Sequence, residues 1–188
     1  MFITLLDFSF TDSYTKNKQG KQNEQQESES IPSLVEISST LHYLRNQIWN
    51  NNISKSVIQI PKLLRSLITL ATFRIGTHLR EEIDRERIEV RHWSRQCLIS
   101  IQGYGDEQDQ SELVNQGYGR VKSLSFSTAG GKGEEYDLDI YYGLHDISTF
   151  LRELHEGRND DWYPSFQPLP LLARSSEEQI VEEGSNED

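Results

Sequence analysis

The residue types that most often do chemistry are few in this chain, and their spacing does little for them. Five histidines, His42, His78, His92, His145 and His155, are scattered along it. None forms the helical-spacing pair that lets two imidazoles share a metal. His145 beside Asp146, and His155 near Asp160 and Asp161, are the clusters with acidic neighbours. A metal or acid–base site at either needs further ligands supplied by the fold, and Asp146 as a helix cap accounts for the first without chemistry. The single cysteine, Cys97, excludes an internal disulfide and a thiolate zinc site. It lies on the apolar face of an expected strand, where a thiol is structural rather than nucleophilic. Gly130-Gly131-Lys132-Gly133 has the glycines of a phosphate loop but lacks its spacing and the hydroxyl residue after lysine. It reads as a turn. No catalytic residue, metal ligand or cofactor is expected, and the chain reads as non-enzymatic.

The elements that would carry any site are organised around residues 61–89. Leu64, Ile68, Ala71, Ile75, Leu79 and Ile83 recur at steps of four and three, which predicts one long helix with a shared apolar face. Leu63, Leu67, Leu70 and Phe73 widen that face until the first half is apolar almost all round. Such a helix must be covered by protein, lipid or a partner. Before it, Ser33 and Glu36 have the spacing of a capping box, and Ile37, Leu41, Leu44 and Ile48 predict an amphipathic helix over 33–50.

After residue 89 the period changes to two. Trp93, Cys97, Ile99 and Ile101 alternate with polar positions and predict a strand over 90–102. Further strands are expected over 120–128 and 135–142, joined by the glycine turn, then a helix over 146–156 closed by Gly157. The predicted fold is therefore α+β. Two N-terminal helices, one of them long, pack on a small three-stranded antiparallel sheet, with a C-terminal helix and disordered tails.

Composition sets the limits. At 188 residues the expectation is one domain, 31–157, between tails. Residues 1–30 are a short apolar start followed by a polar linker expected to be disordered. Residues 158–188 are an aromatic, proline-rich stretch and an acidic tail, also expected to be disordered. The net charge is −11, unevenly spread. Lys55, Lys62, Arg65, Arg74 and Arg80 lie in a stretch without an acid, whereas the tail after Trp162 carries six acids and one cation, Arg174. No signal peptide or spanning segment is expected, which places the chain in the cytoplasm, with the nucleus or a membrane surface as alternatives.

These features favour protein–protein contact. Trp162, Tyr163, Phe166, Leu169, Leu171 and Leu172 form a segment held extended by prolines, suited to docking on a partner or to strapping its own domain. The expectation is a small accessory or regulatory protein, a tail–domain–tail build shared by compact proteins that viruses encode, with self-association as a further expectation. The runner-up is a peripheral membrane or matrix-like structural protein, using the cations between Lys55 and Arg80 on an anionic surface. RNA binding by the same cations ranks third.

Overall fold

The computed structural model describes residues 33–51, 56–57, 59–60, 62–73, 81–127 and 137–184. The expectations for residues 1–30, for Lys55, Arg74, His78 and Arg80, and for the glycine turn at 129–133 lie outside them. The described residues form seven helices: α1 (Leu34–Asn51), α2 (Leu63–Ala71), α3 (Glu81–Tyr104), α4 (Glu107–Asn115), α5 (Tyr118–Ser127), α6 (Asp137–Glu156) and α7 (Pro170–Gly184). No strand occurs among the described residues; Arg158 and Phe166 pair as an isolated antiparallel bridge. The α+β expectation, with its three-stranded sheet, is thereby overturned.

The first helix forms as its sequence dictates. Ser33 Oγ accepts the Glu36 amide hydrogen at 3.2 Å, and the Glu36 carboxylate accepts the Ser33 amide hydrogen at 2.8 Å. Two amides without intrahelical partners are thus satisfied reciprocally. Ile37, Leu41, Leu44 and Ile48 are all buried, and α1 lies along α3.

The single long rod does not exist. The helix stops at Ala71, with Thr72 as its C-cap. Arg91 then donates to the Phe73 carbonyl at 3.2 Å across 18 positions of sequence. A continuous helix would hold those residues roughly 27 Å apart. The α2 helix is therefore folded back against α3, and its leucines Leu63, Leu64, Leu67 and Leu70 are core. The all-round apolar character has the cause expected of it, burial within the protein.

The predicted first strand is most of α3. Its buried positions include Arg87, Val90, Arg91, Ser94, Cys97, Leu98 and Ile101, a helical progression. Polar residues occupy several of these inner positions, so the apolar residues alone show a misleading alternation. The polar groups are satisfied inside: Ser94 Oγ donates to the Val90 carbonyl at 2.7 Å, and Cys97 Sγ to the Leu41 carbonyl at 3.3 Å. Burial pushes the Cys97 thiol up to about 12, in keeping with a structural role.

The second predicted strand is α5, where Tyr118, Val121 and Lys122 turn inward at helical spacing. The described part of the third, residues 137–142, belongs to α6, which runs through Gly143 and Asp146 to Glu156. Asp146 is thus a mid-helix residue and not a cap. Gly157 does end the helix, at φ +80°, where a Cβ would stand 2.7 Å from the Phe166 carbonyl oxygen. Between the first two predicted strands stands α4, opened by a capping box between Asp106 and Asp109.

The tail expected to be disordered contains α7, packed on α5 and α6. Its inner residues Ala173 and Ser176 are small, and this permits close approach. Gly119 is the matching concession on α5: a Cβ there would stand 2.9 Å from the Ser176 carbonyl oxygen. Gln179 stitches the contact, accepting from the Gly119 amide at 3.1 Å and donating to the Val114 carbonyl at 2.9 Å.

Candidate partner-binding surface

The proline-rich segment is anchored to the C-terminal end of α3. A helix end leaves carbonyls without intrahelical donors. Here Gln110 donates to the Gln102 and Gly105 carbonyls at 2.7 and 3.3 Å. Arg158 supplies the rest: its NH1 donates to the Gln102 carbonyl at 3.2 Å, and its NH2 to the Gly105 carbonyl. A cation at the negative end of a helix is also electrostatically favourable. The Arg158 Nε donates to the Pro164 carbonyl at 2.8 Å, and Glu153 lies 3.5 Å away as its counter-charge. Burial lowers the pKa of this guanidinium, an effect opposed by Glu153, Asp160 and Tyr163.

The segment's own residues divide into two sets. Phe166 is buried, exchanges backbone hydrogen bonds of 2.9 Å with Arg158, and lies under its guanidinium at 4.7 Å. Leu169 and Leu172 pack against the core, and the Leu169 amide donates to the Leu154 carbonyl at 2.7 Å. Tyr163 meets Tyr104 edge-on at 5.2 Å. These four residues face the protein and act as a strap. Trp162 and Leu171 do not, at 87% and 83% exposed.

Trp162 is exposed but held in place. Its amide donates to Asp160 Oδ1 at 2.7 Å, and its neighbour Tyr163 is fixed against Tyr104. Tyr104 in turn contacts the half-exposed Trp49 of α1 at 5.9 Å. An aromatic strip thus runs from Trp49 through Tyr104 to Tyr163, with the exposed Trp162 next to it in sequence. Glu156, Asp160 and Asp161 are exposed beside its Trp162 end, whereas the nearest arginine, Arg158, is buried. Trp49 and Tyr104 were not singled out from sequence. The available signal was Trp49 lying off the Ile37–Ile48 apolar stripe, an aromatic with no place in the core.

Of the cations assigned to an anionic surface, Lys62 and Arg65 are described and both are exposed at the start of α2. Lys62 adopts a left-handed backbone, φ 65°, at the N-cap. The leucines beside them, Leu63, Leu64, Leu67 and Leu70, are buried in the protein. No helix among the described residues is long and apolar enough to cross a membrane. No group of three or more His, Cys, Asp or Glu among them could hold a metal ion. His145 lies 3.9 Å from Asp146, and His155 pairs with Glu177 of α7 at 2.8 Å rather than with Asp160 or Asp161. No protein-family model, curated protein or solved structure matches this chain.

Proposed function

We propose that the protein is a non-enzymatic accessory module that binds a basic, extended segment of another protein along the strip ending at Trp162. The observation that carries this reading is Trp162 itself, 87% exposed on a segment clamped at both ends. An indole face attracts cations, and lysine or arginine stems pack well on aromatic rings. The flanking Glu156, Asp160 and Asp161 supply matching charge, and the chain's net charge of −11 steers a basic partner toward it. The Trp162 backbone, already fixed by the Asp160 carboxylate, need not be ordered on binding.

The test is fluorescence anisotropy with a labelled peptide of alternating arginine and glycine. Wild-type protein binds it, and Trp162→Ala weakens binding about tenfold or more, as truncation of an aromatic hot spot does. Equal binding by wild type and Trp162→Ala would reduce the interaction to net charge and end the proposal. The membrane alternative loses support because Leu63, Leu64, Leu67 and Leu70 pack inside the protein, leaving Lys62 and Arg65 without an apolar insert.

A further inference from the structure

The acidic chain gathers cations in one place. A cleft of about 530 Å³ is lined by residues of α1, α3, α5 and α6, among them Arg45, Arg95 and Lys122, against a single carboxylate, Asp146. Its volume falls in the range of small-molecule sites, and Trp93, Tyr118 and Tyr142 give it aromatic walls.

Lys122 is the informative residue. Its side chain is 7% exposed, yet the ammonium donates no hydrogen bond among the described residues. The Asp146 carboxylate stands 3.8 Å away and the Tyr118 ring 5.0 Å away, close enough for attraction but not for a hydrogen bond. The Arg45 Nε is likewise buried without a hydrogen-bond acceptor among the described residues. Arg158 shows how this fold treats a buried cation that serves structure alone, giving it three backbone carbonyls. Lys122 has three donors and no such acceptors. Burial pushes it down to about 8, with Asp146 and then Glu153 opposing, so at neutral pH it remains mostly an ammonium. A charged, under-bonded donor at the wall of an open cleft is costly unless an anion completes its shell.

We propose that this cleft binds a small organic oxyanion with an aromatic body, its phosphate or carboxylate group held by Lys122 and Arg45 and its ring packed among Trp93, Tyr118 and Tyr142. The site lies apart from Trp162 and meets the strip at its other end, where the Arg45 guanidinium covers the Trp49 ring at 4.6 Å.

Isothermal titration calorimetry of the full chain with phenyl phosphate, benzoate and neutral benzyl alcohol tests this. Phenyl phosphate or benzoate binds at millimolar concentration or tighter and benzyl alcohol does not; the tighter of the two anions identifies the headgroup. Lys122→Met keeps the stem and removes the charge, and weakens the anion about tenfold or more, the scale of a charged hydrogen bond. Arg45→Gln weakens it as well and serves as the second variant should Lys122→Met misfold. Trp162→Ala leaves anion binding unchanged. No heat from either anion, or equal affinity in wild type and both cleft variants, would overturn the assignment.

Discussion

Arg158 carries more of the structure than any other single charge described above. Its side chain is 5% exposed, and it ties the end of α3 to the strap and to Glu153. Replacing it by methionine removes the counter-charge of Glu153, whose Oε2 is buried, takes the Arg158 donor from the Pro164 carbonyl and leaves the Gln102 and Gly105 carbonyls to Gln110. Urea denaturation of Arg158→Met is expected to show a loss of about 3 kcal/mol or more, and Arg158→Lys recovers only part because a lysine cannot reach all three carbonyls. The buried titratable groups predict a second result. Lys122 is pushed down to about 8 from 10.5, so its folded form loses the proton first and stability rises as pH climbs through that window. Cys97 is pushed up to about 12 from 9.0, so above pH 9 the unfolded chain's thiol ionises first, which offsets the Lys122 gain up to about pH 10.5 and lowers stability beyond it. Tyr118, pushed well above 10 by burial and then by Asp146, adds to that fall at higher pH. Between pH 8 and 9 the Lys122 gain of about 1 kcal/mol exceeds a Cys97 loss of about 0.4 kcal/mol, so wild type gains roughly 0.6 kcal/mol. Chemical denaturation of Lys122→Met, by contrast, shows no such gain and keeps the later decline. None of this was legible in the sequence. A lysine inside α5 looks like an outward residue of an amphipathic pattern, and only the packing of α5 against α6 and α7 turns it inward.

At the scale of elements, α1 was readable because its apolar residues are large, regularly spaced and preceded by a capping box that forms as its residue types require. Two helices that the sequence did not announce, α3 and α7, share a different trait. Inner positions of α3 are filled by Arg87, Arg91 and Ser94: Arg91 reaches the Phe73 carbonyl, while Arg87 pairs with Asp84 and Ser94 donates to the Val90 carbonyl within the helix. In α7 the inner positions are Ala173 and Ser176, too small to register as a hydrophobic stripe. Sequence periodicity detects large apolar side chains, and these helices bury small or polar ones. Two substitutions separate the observed packing from a sheet with a free tail. Leu98→Ala, at a fully buried position of α3, is expected to cost about 2–5 kcal/mol by leaving a cavity. Gly119→Ala forces a methyl against Ser176 and Gln179 of α7 and is expected to cost about 1–3 kcal/mol through overpacking. A chain in which residues 170–184 were unpacked would show almost no change at Gly119 beyond a small propensity gain, so the sign of that result decides whether α7 is docked.

For the whole molecule, charge and surface point the same way. The acids dominate the total, yet three cations line the cleft between α1, α3, α5 and α6, and the Trp162 end of the aromatic strip is rimmed by carboxylates. The two surfaces are therefore electrostatically opposite and suited to ligands of opposite sign. The sequence marks the 158–172 segment but not its division, because which residues turn inward depends on where Arg158 and Tyr104 anchor it and on α7 beginning at Pro170, which makes Leu171 and Leu172 helical rather than extended. The three tryptophans mark the molecule conveniently: Trp49 and Trp162 lie on the strip, and Trp93 lines the cleft. Nitrogen-15 NMR of the labelled protein reads each indole N–H as a separate resonance while the arginine–glycine peptide is added. The account predicts that Trp162 shifts first, Trp49 follows and Trp93 stays in place. A Trp162 resonance that does not move at saturating peptide, or movement confined to Trp93, would contradict it.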